Sequence, residues 1–275
     1  MTGQFLSFWM HFGLESASGI SAWHMLLAMA SAFLAGGINS VAGGGTLITF
    51  PVLMGLGLPA IVANTTSTVA IWPGSLGSMW GFRSEIRAIP PAMRLLAIPS
   101  ILGGVLGAFL LRSTSAAAFE RLVPFLILFA TLLFTVQAPI QRRLKIAPHS
   151  GAPRGRKWMA GALLAQLAIG VYGGYFGAGM SIMMLTALAF MGMEDILQMS
   201  ALTSLLSFCI NGVASILFVA SHMVVWPYAL GMMVAAVVGG YAAAGLARKI
   251  GKVMVRRFVI AVGFSIATVL LIKML

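Results

Sequence analysis

From about residue 23 to the end of the chain, apolar runs follow one another, each near the length of a membrane crossing, and most charged residues fall between them. A helix needs about 20 residues to cross the hydrocarbon core of a bilayer. The stretches 58–82, 89–111, 118–138, 196–220, 225–247 and 255–275 each fit one crossing. Only 8% of the 275 residues are charged, against about a quarter in a soluble domain. That leaves too little polar surface to coat a water-facing globule, so the fold class is an all-α integral membrane protein.

Two further apolar units, 23–56 and 158–192, are too long for one crossing, since each would make about 50 Å of continuous helix. Glycine interrupts both. The first carries Gly36-Gly37-Ile38-Asn39 through Gly43-Gly44-Gly45, and the second Gly170 through Gly173-Gly174, Gly177 and Gly179. Each is expected to form two half-helices joined at a non-helical tip. Laid over one another, the units set Gly36 on Gly170, Gly43 on Gly177 and Gly45 on Gly179. Further on, Gly57 falls near Gly192, Thr66-Ser67 near Thr203-Ser204, and Gly74 near Gly212. The chain therefore reads as an internal repeat. An interfacial segment at 1–22 precedes a first repeat at 23–138, a basic linker at 139–157 and a second repeat at 158–275.

Charge sets the expected topology. The net charge of +12 is no nucleic-acid signal here, because the basic residues sit in short loops between apolar runs. Arg83, Arg87 and Arg94 share one loop; Arg142, Arg143, Lys145, Arg154, Arg156 and Lys157 share the linker; Arg248, Lys249, Lys252, Arg256 and Arg257 share a third loop. Lys and Arg near membrane ends favour the cytoplasm, so all three loops are expected inside. An even number of crossings must separate the linker from the third loop, and 196–220 and 225–247 supply two. Residues 158–192 then enter and leave on the same side, as a re-entrant hairpin. The same count backwards puts residue 58 outside and makes 23–56 a matching hairpin. Each half becomes a hairpin followed by three spans, in opposite orientations. Carriers with inverted repeats bind substrate near the midplane, where broken helices meet.

Non-helical backbone at membrane depth is tolerated only in a protein interior or along a watery cavity. The tips there expose backbone N–H groups, and a half-helix amino terminus carries partial positive charge. Neutral polar residues gather around them. The candidate substrate-binding set is Asn39, Gly43, Gly44, Gly45, Thr46, Asn64, Thr65, Thr66, Ser67 and Ser75 in the first half. In the second it is Tyr175, Gly177, Gly179, Ser181, Thr203, Ser204 and Asn211. Donors without fixed charge suit a small anion that must bind and then leave. Arg83, at the inner end of a span, is a candidate anion funnel or a topology anchor. The competing reading is that Ser and Thr simply glue membrane helices together. No acid falls inside a span: Glu15, Glu85, Glu120, Glu194 and Asp195 all lie at segment ends, so the usual proton or sodium relay is not visible. With one cysteine, Cys209, and no Cys/His cluster at metal-ligand spacing, no disulfide, metal or cofactor is expected.

The run Gly37-Ile38-Asn39-Ser40-Val41-Ala42-Gly43-Gly44-Gly45-Thr46, with Phe50-Pro51 and Gly57-Leu58-Pro59 after it, resembles the TauE/SafE family of sulfite exporters. So do Ala63-Asn64-Thr65-Thr66-Ser67, Pro73-Gly74-Ser75 and Gly81-Phe82-Arg83, and, in the second half, Gly173-Gly174-Tyr175-Phe176-Gly177-Ala178-Gly179. The family's second motif often continues with a small residue where this chain has Met180. The resemblance implies transport, by export or sometimes uptake, of sulfite, sulfonates or related organosulfur and small carboxylate anions across a bacterial inner membrane. The expected partners are such an anion and membrane lipid, and not nucleic acid. A carrier alternating access around the two tips fits these residues, as does an anion channel. The different class is a non-transport membrane scaffold or a membrane-embedded enzyme. The enzyme reading lacks a catalytic constellation, since Ser181 and His222 come with no GxSG motif.

Overall fold

A computed structural model of the chain describes residues 21–41, 44–146, 156–193, 195–250 and 252–274. Among these residues there are helices and no strands. The expected segment at 1–22 lies almost wholly outside them, as do Gly43 and Glu194.

The first long unit forms α1 (Ala22–Val41) and α2 (Thr46–Gly55), and the second forms α9 (Arg156–Tyr175) and α10 (Met180–Phe190). Both units reverse direction, but not as two equal half-helices. The first arm of each has 20 residues, about 30 Å of helix and enough to cross a bilayer. The second arms have only 10 and 11 residues. The breaks fall at the last glycines of each run, and Gly36, Gly170, Gly173 and Gly174 lie inside the long arms. Their missing side chains serve packing. A Cβ on Gly36 would strike the Ala236 carbonyl, and one on Gly174 the Gly104 carbonyl. Close backbone approach at small residues is how helices pack where lipid removes any hydrophobic drive between them.

The remaining spans follow the sequence with local changes. The run 58–82 appears as α3 (Ala60–Ile71) and α4 (Gly74–Gly81), because Pro73 has no N–H for the Val69 carbonyl and its ring crowds that turn. The run 89–111 starts late, as α7 (Ala97–Ser113), after two short helices, α5 (Arg83–Ala88) and α6 (Pro91–Arg94). Ile89 and Leu96 of that connection are buried against Met199, Leu202 and Leu206 of α11. The run 118–138 lengthens to α8 (Ala116–Ile146), whose last turns reach into the expected linker. The others are α11 (Ile196–Ala220), α12 (Trp226–Ile250) and α13 (Lys252–Met274). Asp195 caps α11, accepting from the N–H groups of Leu197 at 2.8 Å and Gln198 at 3.4 Å. That makes it a helix start and explains its place next to the second hairpin.

Packing exchanges partners between the halves. The long arm α1 lies along α12, and the long arm α9 lies along α7; the short arm α2 rests on α13, and the short arm α10 on α8. Helices α8 and α13 pack on each other, with Gly263 against Thr131. Helices α3 and α11 cross where the Trp72 ring stacks on Phe208 at 5.3 Å and covers Gly212. Trp72 Nε1–H also donates to the Phe208 carbonyl at 3.2 Å. Among the described residues, α1, α8 and α11 contain windows long and apolar enough to cross a membrane. Their outward faces are apolar, as at Leu34, Phe125 and Ile216.

Candidate functional site

Each tip is closed by one side chain from its own long arm. At the first, Asn39 Oδ1 accepts the Gly45 N–H at 2.8 Å. At the second, Tyr172 Oη–H donates to the Ala178 carbonyl at 2.6 Å. Gly44, Gly177 and Gly179 hold φ of 92°, 77° and 77°, the left-handed region that glycine enters without a Cβ penalty. A Cβ on Gly44 would run into the Phe134 ring, and one on Gly45 would stand 2.6 Å from the Ala35 carbonyl. Protein packing alone therefore already demands glycine at these two positions. Gly43 lies outside the described residues.

The two tips meet. Gly44 faces Phe134, and Gly179 packs on Ala130, its Cβ position 3.5 Å from the Ala130 Cα. Both partners are fully buried on α8 and stand one turn apart on one face of it. Phe50 of α2 meets Phe176 of the second tip edge to face, with ring centroids 5.4 Å apart. Asn64 of α3 donates Nδ2–H to the Tyr175 carbonyl at 3.0 Å, and Asn211 Oδ1 lies 3.9 Å from where a Gly177 Cβ would stand. Asn64, Tyr175, Gly177, Gly179 and Asn211 are thus brought to one place, although up to about half the chain separates them.

Other expected residues are committed to holding helices together. Thr65 Oγ1 donates to the Met223 carbonyl, and Thr66 Oγ1 accepts the Val225 N–H at 3.1 Å. Both bonds tie α3 to the turn before α12. Ser67 Oγ shares a hydrogen bond with Thr49 Oγ1 at 2.5 Å, and Ser204 Oγ returns to the Ser200 carbonyl at 2.9 Å. Thr203 is buried with no partner for its hydroxyl among the described residues. Thr46 is buried at the start of α2; Ser181 is half-buried in the first turn of α10, and Ser75 half-buried on α4. Arg83 is exposed, lies over the exposed Trp80 ring at 5.6 Å and donates to the Trp80 carbonyl at 3.1 Å. That is the posture of an interfacial anchor. Phe134, Ala130 and Thr49 escaped the sequence reading, because nothing in an apolar run distinguishes a seat for a tip from lipid-facing residues.

Beside the crossing of α3 and α11 opens a cavity of about 510 Å³, bounded by Trp72, Pro73, Ile216, Val219, Trp226 and Met233. Its wall is carbon apart from Ser215, whose Oγ has no partner among the described residues.

The chain matches the family model described as sulfite exporter TauE/SafE over residues 6–270. The chain belongs to the TauE/SafE family. It is 28% identical over 233 residues to a probable membrane transporter protein of Haemophilus influenzae, an alignment covering 84% of this chain and 88% of that protein. It is 25% identical over 241 residues to the probable membrane transporter protein YfcA of Escherichia coli, covering 87% of each. A probable membrane transporter protein of Sinorhizobium, ORF9, is 26% identical over 251 residues, 91% of this chain and 94% of its own length. No solved structure matches the chain. The tips, α8 and the α3–α11 crossing all fall within the stretch matched to TauE/SafE.

Proposed function

We propose that this TauE/SafE protein is a multi-pass carrier of the bacterial inner membrane that exports a small oxyanion: sulfite, a sulfonate or a related organosulfur anion. Transport rather than catalysis is supported by the family and by relatives named as membrane transporters. The observation that carries the reading is the seating of both tips one turn apart on α8. Two non-helical turns buried in protein, with short helices leading away from them, support a site there. The exchange of partners, α1 with α12 against α9 with α7, supports two inverted repeats. In such a plan one repeat rocks against the other around the joined tips, opening them to alternate sides.

At the start of α10 the Met180 and Ile182 N–H groups bond the Gly177 and Gly179 carbonyls, so the anion is held by the Ser181 N–H and by the hydroxyls of Thr46 and Ser181. Asn64 gives one of its two Nδ2–H groups to the Tyr175 carbonyl and has a second N–H beside it. A cell negative inside drives an anion outward by roughly 2.3 kcal/mol per charge per 100 mV, so export can run on the membrane potential. The test is anion efflux from liposomes holding the purified protein, with sulfite, sulfoacetate, sulfate and chloride compared at a set potential. Saturable sulfite or sulfonate efflux is expected. No flux of any of them from folded protein would sink the reading, and non-saturating conductance would convert the carrier into a channel.

A further inference from the structure

The end of α9 presents hydrogen-bond acceptors, not donors, to the middle of the protein. The N–H groups of Phe176 and Gly177 both donate to the Tyr172 carbonyl, at 2.9 and 3.1 Å. Gly177 therefore does not serve the Gly173 carbonyl, its usual partner four residues back. Helix C-terminal carbonyls of this kind carry the negative end of the macrodipole. Next to them Asn64 is committed: the Tyr175 carbonyl requires a donor, so Nδ2 faces it and Oδ1 faces away. Asn64 is 1% exposed, and its Oδ1 has no partner among the described residues. A buried acceptor left without a partner costs about 1–3 kcal/mol. Two oxygens flank Gly177 on the same tip. The point its Cβ would occupy is 3.0 Å from the Gly173 carbonyl oxygen and 3.9 Å from Asn211 Oδ1.

An oxyanion cannot use such atoms, because it too only accepts. A cation can. Divalent cations in all-protein oxygen sites draw on carboxylates, and Asn64, Asn211 and the α9 carbonyls are all neutral. Neutral oxygens around the end of an interrupted helix match the way carriers hold monovalent coupling ions. We propose that the second tip binds a monovalent alkali cation, sodium first among them, through Asn64 Oδ1, Asn211 Oδ1 and the Gly173 carbonyl. The amino terminus of α10 begins at Met180, three residues beyond Gly177, so a bound anion and this cation would be neighbours and each would offset the other's desolvation. Coupling of the two rests on the carrier reading above; binding of the cation does not. If both load and move together, the cation cancels one charge of the anion, so the cation gradient enters the driving force and the pull of the membrane potential is reduced.

The experiment is thermal unfolding of the purified full-length protein, without substrate anion, in sodium chloride against choline chloride at equal ionic strength. A saturable rise of the midpoint with sodium is expected for the wild type, since a ligand of the folded state stabilises it by mass action. Asn211→Ala removes one acceptor without touching the Asn64–Tyr175 bond and should weaken the half-saturating sodium concentration at least tenfold. Asn64→Leu should abolish the rise; if that variant does not fold, Asn211→Ala still decides. Equal midpoints in sodium and choline for the wild type, or the same sodium rise in Asn211→Ala, would overturn the proposal and leave water as the partner of Asn64. The readout needs no transport, so failure of the anion-flux assay and failure of this one are separate results.

Discussion

At the scale of single residues, the polar side chains of α3 differ sharply in what their loss should cost. Thr66 Oγ1 accepts the buried Val225 N–H, so Thr66→Val strands a backbone donor and should destabilise by about 1–3 kcal/mol. Ser67→Ala removes only a hydroxyl pair with Thr49 and should cost about 0.5–1.5 kcal/mol. Unfolding in a fixed detergent would check the order, and equal effects would contradict the assigned bonds. Gly44→Val should unfold or empty the first tip, because its Cβ would enter the Phe134 ring at a φ of 92°. Overpacking of this kind costs about 1–3 kcal/mol. Gly44→Ala combined with Phe134→Ala should regain part of the lost stability and flux. If the double variant is no better than Gly44→Ala alone, something other than Phe134 demands glycine there. The sequence marked Gly44 and Thr66 as site residues by type and position, and the structure gives each a structural role as well. Their partners, Phe134 and Val225, are 90 or more residues away, and no local pattern encodes such a pairing.

At the scale of elements, glycine means opposite things within one helix. In α9, Gly161 has open space around its Cβ position, whereas Gly174 lies on the Gly104 backbone of α7. Gly161→Ala should stabilise by about 0.5–1 kcal/mol through helix propensity. Gly174→Ala should do the reverse, because backbone cannot yield as a flexible side chain can. The measurement is the midpoint of helix loss by circular dichroism for the two variants side by side; a matching sign would show that α7 and α9 do not meet as described. The apolar runs were legible in the sequence because hydrophobicity is a local property, although three of them are split, shortened or lengthened as helices. The sequence also showed that both glycine-rich units reverse. It could not tell which glycines of each run break the helix, since Gly36 and Gly174 break nothing: they are packing surfaces, and packing surfaces become visible only when the opposing helix is known.

At the scale of the whole molecule, the basic loops predict that residues 55–58 face outward and 142–157 inward. In a Cys209→Ser background, Gly55→Cys should react with an impermeant thiol reagent from outside and Ser150→Cys only after the membrane is opened. Gly55 is exposed and has open space beside it, so labelling there reads topology rather than burial. Equal labelling of both positions from one side would overturn the hairpin arrangement and with it the inverted repeat. The sequence by itself determined that this chain is a helical membrane protein, which apolar runs it is built from, which glycines punctuate it and to which family it belongs. All of these follow from residue type and local spacing, because the bilayer tests each segment for length and hydrophobicity almost independently. The tertiary structure alone decided that both tips seat on α8, that Pro73 bends the α3–α4 span beside a carbon-walled cavity, and that Asn64 turns an Nδ2–H to Tyr175 and keeps an acceptor without a partner among the described residues. Those outcomes depend on polar atoms and small surfaces finding partners far along the chain, and in a membrane interior each must be matched before the helices can close.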